Sequence, residues 1–372
     1  IYTLYSSSAA SDVYKRQMKT QASKTYSGDG NMVRVGCPSH NCGGRCLLRV
    51  HLKDGVIARI ETDDRPGDTV SDPQLRACIR GRSYRHRQYH KDRLRYPLKR
   101  VGERGSGDFE RISWDEATDM MAENIQRIRE QYGNTSIYIP YGTGSYNQTN
   151  GKWPADRLMH MCGGALGYYN SYSWACITRA TATVYGTDVC GNQRQDWLNS
   201  QFIIMWGWNP SEMRDGTNSE YFLKEARKKG ARIICIDPRM TMSAVALADE
   251  WIAIRPGTDV ALMSAMAWVM ITEDLYDKDF VDKYCMGFDR SQMPEAYSNE
   301  ESYKDYILGI RDGQPKTPEW AENITSVPRE DIVRIAREYA TAESAVLYQG
   351  YGMQRRAYGE QVVRGGCVLA AI

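Results

Sequence analysis

The 372-residue sequence has little net charge and no long apolar segment. Its 48 Lys and Arg residues nearly balance its 46 Asp and Glu residues, so a formal charge of +2 gives no overall attraction to nucleic acid or anionic lipid. The longest nearly apolar run, ALMSAMAWVMI at residues 261–271, is far shorter than the ~18 residues of a membrane-spanning helix. A hydrophobic content of 42% with 25% charged residues indicates a globular protein large enough for more than one domain.

Terminal and nucleotide-binding signals are also missing. Residues 1–17 lack the basic, apolar and small-residue order of a secretory signal, and we expect this stretch to be a non-native tail. The chain stops inside an apolar helical pattern at residues 365–372, so we expect it to be truncated at both ends. Neither a G-x-G-x-x-G turn nor a P-loop lysine motif is present.

A small β-rich region begins the interpretable chain. Within residues 31–70, short apolar runs flank Asp54-Gly55, which is typical of a hairpin turn between two strands. Further along, Ser113 and Glu116 have the spacing of a capping box and predict the start of a helix. Apolar residues then recur at helical spacing until Gly133.

Beyond this helix, strand-like runs alternate with helical patterns. Strands are predicted at 136–141, 201–206, 231–236, 250–254 and 344–349. Helices are predicted at 218–229, 259–273 and 329–342. This alternation predicts an α/β fold with a mostly parallel sheet, preceded by the small β-rich module.

Gly and Pro combine with hydrogen-bonding side chains just after each predicted strand. The loops are YGTG at 141–144, GWNP at 207–210, DPR at 237–239, RPGTD at 255–259 and QGYG at 349–352. Any single loop of this composition is ordinary, because these residues fill turns generally. Open α/β sheets bind ligands beyond the carboxyl ends of their strands, so five such loops favour a large nucleotide-like ligand.

Four cysteines near the amino end have a spacing suited to a metal cluster. Cys37, Cys42, Cys46 and Cys78 form a C-x4-C-x3-C-x31-C pattern, with His40 inside it as a possible alternative ligand. Four thiolates can hold one 4Fe–4S cluster. Structural zinc is an alternative, although zinc ribbons usually present paired C-x-x-C knuckles that are lacking here. A site without metal is the remaining alternative.

The region around the fourth cysteine is strongly basic. Residues 76–100 contain ten Lys or Arg residues and a single acidic residue, Asp92. A solvated or phosphate-facing surface accounts for most of these side chains.

Together these motifs resemble the molybdopterin oxidoreductases of the dimethyl sulfoxide reductase family. The resemblance rests on the cysteine module followed in order by CIRGR, SWDEA, WGWNP, IDPR and RPGTD. It implies a bis(molybdopterin guanine dinucleotide) molybdenum cofactor and one 4Fe–4S cluster. We expect residues 31–100 to form the 4Fe–4S module and residues 101–372 to form the α/β cofactor-binding region, with the C-terminal cofactor domain missing.

The resemblance also implies roles for individual residues. Ser173, in the context YSWA, corresponds to the molybdenum ligand, although Cys176 nearby leaves a cysteine ligand open. Tyr141 corresponds to a tyrosine near the metal, and Arg80 to a basic residue between cluster and pterin. The residues implied in binding the dinucleotides and pterin are Gly207, Asn209, Glu212, Asp237, Arg239, Gly257, Thr258, Asp259, Gln349, Gly350, Gly352 and Gln354.

The function implied is the catalytic subunit of an anaerobic respiratory reductase that removes an oxygen atom from an S-oxide or N-oxide. Its partners would be an electron-transfer iron–sulfur subunit and a membrane anchor subunit, and its location would be periplasmic or extracytoplasmic. One alternative keeps the cofactor but reduces selenate, tetrathionate or polysulfide. A zinc-ribbon protein that binds nucleic acid through residues 76–100 is a second alternative, which the near-neutral net charge disfavours.

Overall fold

The amino-terminal module is a small antiparallel sheet. The computed structural model describes residues 31–38, 42, 44, 46–140, 151–213 and 216–372. Strands β1 (Met32–Gly36), β2 (Leu47–Lys53) and β3 (Val56–Thr62) pair in that order. The predicted hairpin turn is confirmed, because Asp54 and Gly55 between β2 and β3 both have positive φ, 52° and 75°.

Short elements connect this sheet to a long helix. They are α1 (Ile79–Arg82), α2 (Tyr84–Gln88), and the hairpin of β4 (Leu98–Arg100) with β5 (Phe109–Arg111). The predicted helix follows as α3 (Trp114–Tyr132).

The beginning of α3 differs in one detail from a capping box. The Ser113 side chain accepts a hydrogen bond from the backbone N–H of Glu116 at 3.0 Å, as expected of an N-cap. The Glu116 carboxylate instead accepts from Lys99 at 3.4 Å, on β4. None of the residues of α3, all of which are described, is fully buried, and its apolar residues are half-buried or exposed.

The prediction of a strand at 136–141 was wrong for its described part. Asn134–Ser136 forms a 3-10 turn, and Tyr138 makes only an isolated parallel bridge with Leu166. The side-chain amide of Asn134 holds this region by donating to the carbonyls of Cys162 at 2.8 Å and Gly164 at 2.7 Å. A local apolar run therefore forms a single bridge outside the main sheet.

The remaining predicted strands form one four-stranded parallel sheet in the order β8-β7-β6-β9. These strands are β6 (Phe202–Trp206), β7 (Arg232–Ile236), β8 (Glu250–Ile252) and β9 (Ala345–Gln349). Every residue of β6 is buried, and its side chains alternate between two cores on opposite faces of the sheet. A parallel strand covered on both faces reads as a continuous apolar run, which is why these strands were predictable.

Helices cover both faces of this sheet. The helices of the α/β region are α4 (Lys152–Met161), α5 (Ala175–Tyr185), α6 (Ser219–Lys228), α7 (Met242–Leu247), α8 (Asp259–Thr272), α9 (Lys278–Tyr284), α10 (Tyr303–Leu308), α11 (Pro318–Thr325), α12 (Arg329–Thr341) and α13 (Gly359–Ala371). The predicted helices at 218–229, 259–273 and 329–342 are thus confirmed as α6, α8 and α12. Helix α8 is buried almost all round, packed by α11, α12 and α13.

The central strands should dominate stability. Ile234, in β7, is fully buried, whereas Val245, on α7, is 66% exposed. We expect Ile234→Ala to lower the free energy of unfolding by about 2–5 kcal/mol, because it removes buried methyl groups and leaves a cavity. Val245→Ala, the matched control, should change it by less than about 0.5 kcal/mol. Urea unfolding followed by circular dichroism measures both, and equal losses would contradict the assignment of the core.

Candidate cofactor site

The loop between β1 and β2 gathers three of the four motif cysteines. The backbone N–H of Cys37 donates to the carbonyl of Cys46 at 2.8 Å, which closes the loop. A Cβ placed on Gly44 would lie 3.4 Å from the sulfur atoms of both Cys42 and Cys46. The Gly44 N–H also donates to Cys42 Sγ at 3.4 Å, so a backbone amide points at a sulfur.

The fourth cysteine approaches the same loop from α1. Cys78 is the N-cap residue of this helix, whose residue Gly81 is buried. A Cβ on Gly81 would lie 3.0 Å from Cys37 Sγ, so glycine leaves room there for the sulfur. The helix that begins after Cys78 therefore packs against the sulfur of Cys37, in the loop after β1.

The donor chemistry fits an iron–sulfur cluster. Thiolate sulfur is the usual ligand of a 4Fe–4S cluster, and an amide donor beside sulfur tunes its potential. Within the described parts of the chain, no three His, Cys, Asp or Glu side chains form a group that could hold a single metal ion. A four-iron cluster takes its thiolates from separate positions around a larger body. His40 lies outside the described residues.

The cysteine loop also contacts the α/β region. Cys46 Sγ lies 3.6 Å from Thr217 Oγ1, just before α6. Asn218 donates through its side chain to the carbonyl of Gln74 at 2.8 Å, and the Arg76 guanidinium lies 4.3 Å from the ring centre of Tyr221. Arg80 is exposed on α1, two residues after Cys78.

The carboxyl ends of the four parallel strands meet at one edge, as predicted. The register pairs Trp206 with both Ile236 and Gln349 at the ends of their strands. The loops that follow are in close contact, since a Cβ on Gly350 would lie only 2.0 Å from the carbonyl oxygen of Gly207. Glycine at position 350 is what allows the loops after β6 and β9 to touch.

Asn209, in the loop after β6, has a buried and half-satisfied side chain. It is 9% exposed, and its Oδ1 accepts from Ser243 Oγ at 2.6 Å. Its Nδ2 has no hydrogen-bond partner among the described residues. Nearby, Glu212 pairs with Arg239 at 3.2 Å across the same edge.

Asp237 follows β7 at the same edge. Its Oδ1 accepts from the backbone N–H of Arg239 at 2.9 Å. Burial raises the pKa of the Asp237 carboxyl, while its hydrogen bond with Arg239 and the charge of that side chain oppose the shift.

Asp259 lies deeper than its neighbours in the RPGTD loop. Its Oδ1 accepts from Trp206 Nε1 at 3.0 Å, and its side chain is 7% exposed. Burial raises the pKa of the Asp259 carboxyl, against the lowering effects of Trp206 and Arg356. Thr258 Oγ1 donates to the carbonyl of Arg255 at 2.7 Å, and Gly257 has a positive φ of 85°. Asp259 therefore lies at the carboxyl edge of the sheet and also stabilises the fold by accepting a hydrogen bond from Trp206.

The loop after β9 joins the segment that contains Ser173. Gln354 is 1% exposed, and its Nε2 donates to the carbonyls of Ser173 and Tyr351, each at 3.0 Å. Its Oε1 has no partner among the described residues. Ser173 is half-buried in the turn before α5, and Cys176 lies in the first turn of that helix. Tyr141 lies outside the described residues.

The side chain of Gln349, the last residue of β9, points into the fold toward α13. Its Nε2 donates to the carbonyl of Val362 at 2.8 Å, on α13. The side chain packs so closely there that a Cβ on Gly366 would lie 2.5 Å from it. The amide nitrogen of Gln349 is therefore used within the fold. Gly352, at the start of the following 3-10 turn, has open space where a Cβ would point.

Two residues at this edge were missed by the sequence analysis. Arg356 Nη1 donates to the carbonyl of Gly257 at 2.5 Å, and its Nη2 lies 4.0 Å from Asp259. Trp208 stacks on Tyr348 with ring centres 3.9 Å apart, and its buried Nε1 has no partner among the described residues. The WGWNP motif contains Trp208, but nothing in the sequence places Arg356 against a loop about a hundred residues away.

The unsatisfied polar groups at the edge fit a polar cofactor. Asn209 Nδ2 and Trp208 Nε1 are buried donors, and Gln354 Oε1 is a buried acceptor. Each such group costs about 1–3 kcal/mol when left unpaired. A ligand that offers both acceptors and donors would remove these costs, and nucleotide and pterin groups offer both.

The buried Asp259 carboxyl should make stability depend on pH. Its raised pKa lets the folded protein keep a proton that the unfolded chain has lost, so stability falls as pH rises from the ordinary carboxyl value through the native one. Asp259→Asn removes this effect and keeps an oxygen for Trp206. We expect the melting temperature of the variant, relative to the wild type, to rise between about pH 4 and about pH 7. Val245→Ala, on the exposed face of α7, changes no titratable group and should show no such trend.

Comparison with known proteins agrees with this architecture. The model of the molybdopterin oxidoreductase Fe4S4 domain matches residues 33–90, and the model of molybdopterin oxidoreductases matches residues 93–372. Dimethyl sulfoxide reductase DmsA of Escherichia coli (strain K12) is 48% identical over 342 residues, covering 89% of this chain and 42% of that protein. Trimethylamine-N-oxide reductase of Haemophilus influenzae is 33% identical, over 73% of this chain and 34% of that protein.

A solved structure is also similar. Acetylene hydratase from Pelobacter acetylenicus superposes with a TM-score of 0.65 at 26% identity, covering 90% of this chain and 43% of that one. The chain therefore spans less than half the length of these relatives. Within that span, the two matched regions account for almost all of the described fold, and the chain belongs to the molybdopterin oxidoreductase family, with an N-terminal Fe4S4 domain.

Proposed function

We propose that this chain is part of the catalytic subunit of a molybdenum reductase that removes an oxygen atom from an S-oxide or N-oxide in anaerobic respiration. The observation that carries the proposal is the meeting of four strand-end loops and the Ser173 turn at one edge, with the cysteine module packed on the same α/β region. The 48% identity to a dimethyl sulfoxide reductase supports this substrate class.

The cofactor we propose is a bis(molybdopterin guanine dinucleotide) molybdenum centre. Gly207, Asn209 and Glu212, after β6, would line one dinucleotide. The residues proposed to contact guanosine and diphosphate are Asp237, Arg239, Gly257, Thr258 and Asp259. The loop after β9, with Gly350, Gly352, Gln349 and Gln354, would approach a pterin. The buried unpaired groups of Asn209 and Gln354 favour this arrangement.

The chain's own groups would hold and orient this centre. When bound, the molybdenum cofactor supplies two-electron oxygen-atom transfer, and the iron–sulfur cluster supplies electrons singly. Ser173 would offer a hard oxygen ligand to the metal. Arg80, two residues after a cluster ligand, would place a fixed positive charge between cluster and pterin. Tyr141 is proposed to lie near the reacting oxygen.

We further propose an electron-transfer iron–sulfur subunit and a membrane anchor subunit as partners, with an extracytoplasmic location. Dimethyl sulfoxide reductase DmsA is the relative on which this proposal rests. Among the described residues, no helix has both the length and the apolar character needed to cross a bilayer.

The substrate proposal is tested by assaying anaerobically purified protein, expressed from its complete reading frame, with reduced viologen as the electron donor. We expect turnover of dimethyl sulfoxide and trimethylamine N-oxide, and elemental analysis should find molybdenum with about four iron atoms. Turnover of selenate, tetrathionate or polysulfide alone would contradict the substrate class. Zinc without molybdenum would contradict the cofactor.

Substitution should distinguish the two candidate metal ligands. Ser173→Ala should lower oxide reduction by at least about 100-fold, because the metal loses an oxygen ligand. Cys176→Ala, one helical turn away on α5, should keep most of the activity. The two variants are compared by kcat at equal molybdenum content. The opposite pattern would assign the metal to Cys176.

Loss of one motif cysteine should remove the cluster. Cys37→Ala takes away one thiolate ligand, so we expect iron content and the cluster's electron paramagnetic resonance signal to be largely lost. Cys285→Ala is the matched control, because Cys285 lies after α9, outside the cysteine module. Full iron retention in Cys37→Ala would contradict the proposed ligand set.

A further inference from the structure

Gln354 links two parts of the chain that are 181 residues apart. Its side-chain amide nitrogen donates to the carbonyl of Ser173, in the turn before α5, and to the carbonyl of Tyr351, in its own loop. Both hydrogen bonds are 3.0 Å long, and the side chain is 1% exposed. A buried amide that uses both of its donor hydrogens on backbone carbonyls can hold two loops in one geometry.

The position of Gln354 is itself fixed by packing. Helix α13 begins at Gly359, five residues after Gln354. A Cβ on Gly359 would lie only 1.9 Å from the Gln354 carbonyl oxygen. Only glycine at position 359 permits this approach. The backbone of Gln354 is therefore held between its own 3-10 turn and the first turn of α13.

A second contact joins the same two loops. Trp174 and Tyr351 meet edge to face, with ring centres 5.4 Å apart and planes at 82°. The two contacts fall on consecutive residues, because the Gln354 hydrogen bond goes to the carbonyl of Ser173 and the aromatic contact involves Trp174. The turn around Ser173 is closed by the backbone N–H groups of Trp174 and Ala175, which both donate to the carbonyl of Ser171.

We propose that Gln354 is a positioning residue that fixes the direction of the Ser173 hydroxyl. The inference rests on the proposed function, in which Ser173 is the metal ligand. Ser173 belongs to a turn, not to the sheet, so the direction of its side chain depends on what restrains its backbone. Gln354 supplies that restraint through its Nε2, from the loop after β9, while its Oε1 is left for the pterin. It therefore acts on the metal through Ser173, without contact to the reacting atoms.

The test compares Gln354→Met, which keeps the side-chain length but removes the donors, with the wild type. Lys316→Met is the matched control, because Lys316 is 3% exposed and also donates to a loop carbonyl, that of Gln314, remote in sequence from Ser173. The first measurement is hydrogen exchange by mass spectrometry on the segment that contains the Trp174 and Ala175 amides. We expect these amides to exchange about tenfold faster in Gln354→Met and unchanged in Lys316→Met.

The second measurement concerns the metal. At equal molybdenum content, Gln354→Met should change the Mo(V) electron paramagnetic resonance signal and lower kcat for dimethyl sulfoxide by about 10- to 100-fold, with little change in KM. Lys316→Met should leave the signal and KM unchanged. If Gln354→Met does not fold, Trp174→Leu, which loosens the second contact, should give smaller changes in the same direction.

The outcomes separate the inference from the proposed function. Unchanged amide exchange, or faster exchange with an unchanged Mo(V) signal, overturns the positioning role. Loss of molybdenum from folded Gln354→Met also overturns it, because the main role of the side chain would then be to retain the cofactor and not to direct Ser173. A wild-type protein without molybdenum would refute the proposed function alone, because hydrogen exchange still decides whether Gln354 restrains the Ser173 turn.

Discussion

The parallel pairing of strand β6 with its two neighbours positions the loops that form the site. Strand β6 pairs in parallel with β7 on one side and β9 on the other, and its residues are buried on both faces. Parallel pairing brings the carboxyl ends of neighbouring strands to the same edge, so loops from distant parts of the chain become neighbours. Trp206, the last residue of β6, extends this role by donating a hydrogen bond to Asp259.

The site at this edge combines a rigid frame with unpaired polar groups. The frame consists of close backbone contacts, such as that between Gly350 and Gly207, and of buried side chains that hold loops. The unpaired groups, on Trp208, Asn209 and Gln354, lie on the loops that follow β6 and β9. A fold that keeps costly groups in place at one edge is preorganised for a ligand that satisfies them.

Much of this arrangement could be predicted from sequence, and the reasons are physical. The central strands β6 and β7 are buried on both faces, which requires uninterrupted apolar runs, and the Asp54-Gly55 turn has the residues that positive φ demands. Family membership followed from ordered motifs and is confirmed by the matches to both family models. Proposed roles for individual site residues remain predictions.

What sequence could not predict depends on long-range packing. The apolar run at 136–140 looks like a strand, but its only described pairing is the bridge from Tyr138 to Leu166. Gln349 ends β9 and Gln354 lies five residues later, yet the side-chain amide of Gln349 donates to α13 and that of Gln354 donates to the Ser173 turn. The neighbouring sequence indicates neither the pairing of Tyr138 nor the partners of the two glutamines, because the contacting residues lie farther along the chain.

The contact between Gly350 and Gly207 has a consequence for how such proteins can diversify. A Cβ at Gly350 would fall 2.0 Å from the Gly207 carbonyl oxygen, so neither loop has slack to absorb a change in the other. An insertion in the loop after β6 or in the loop after β9 would therefore have to be accompanied by a change in the other, so we expect the lengths of these two loops to vary together during evolution.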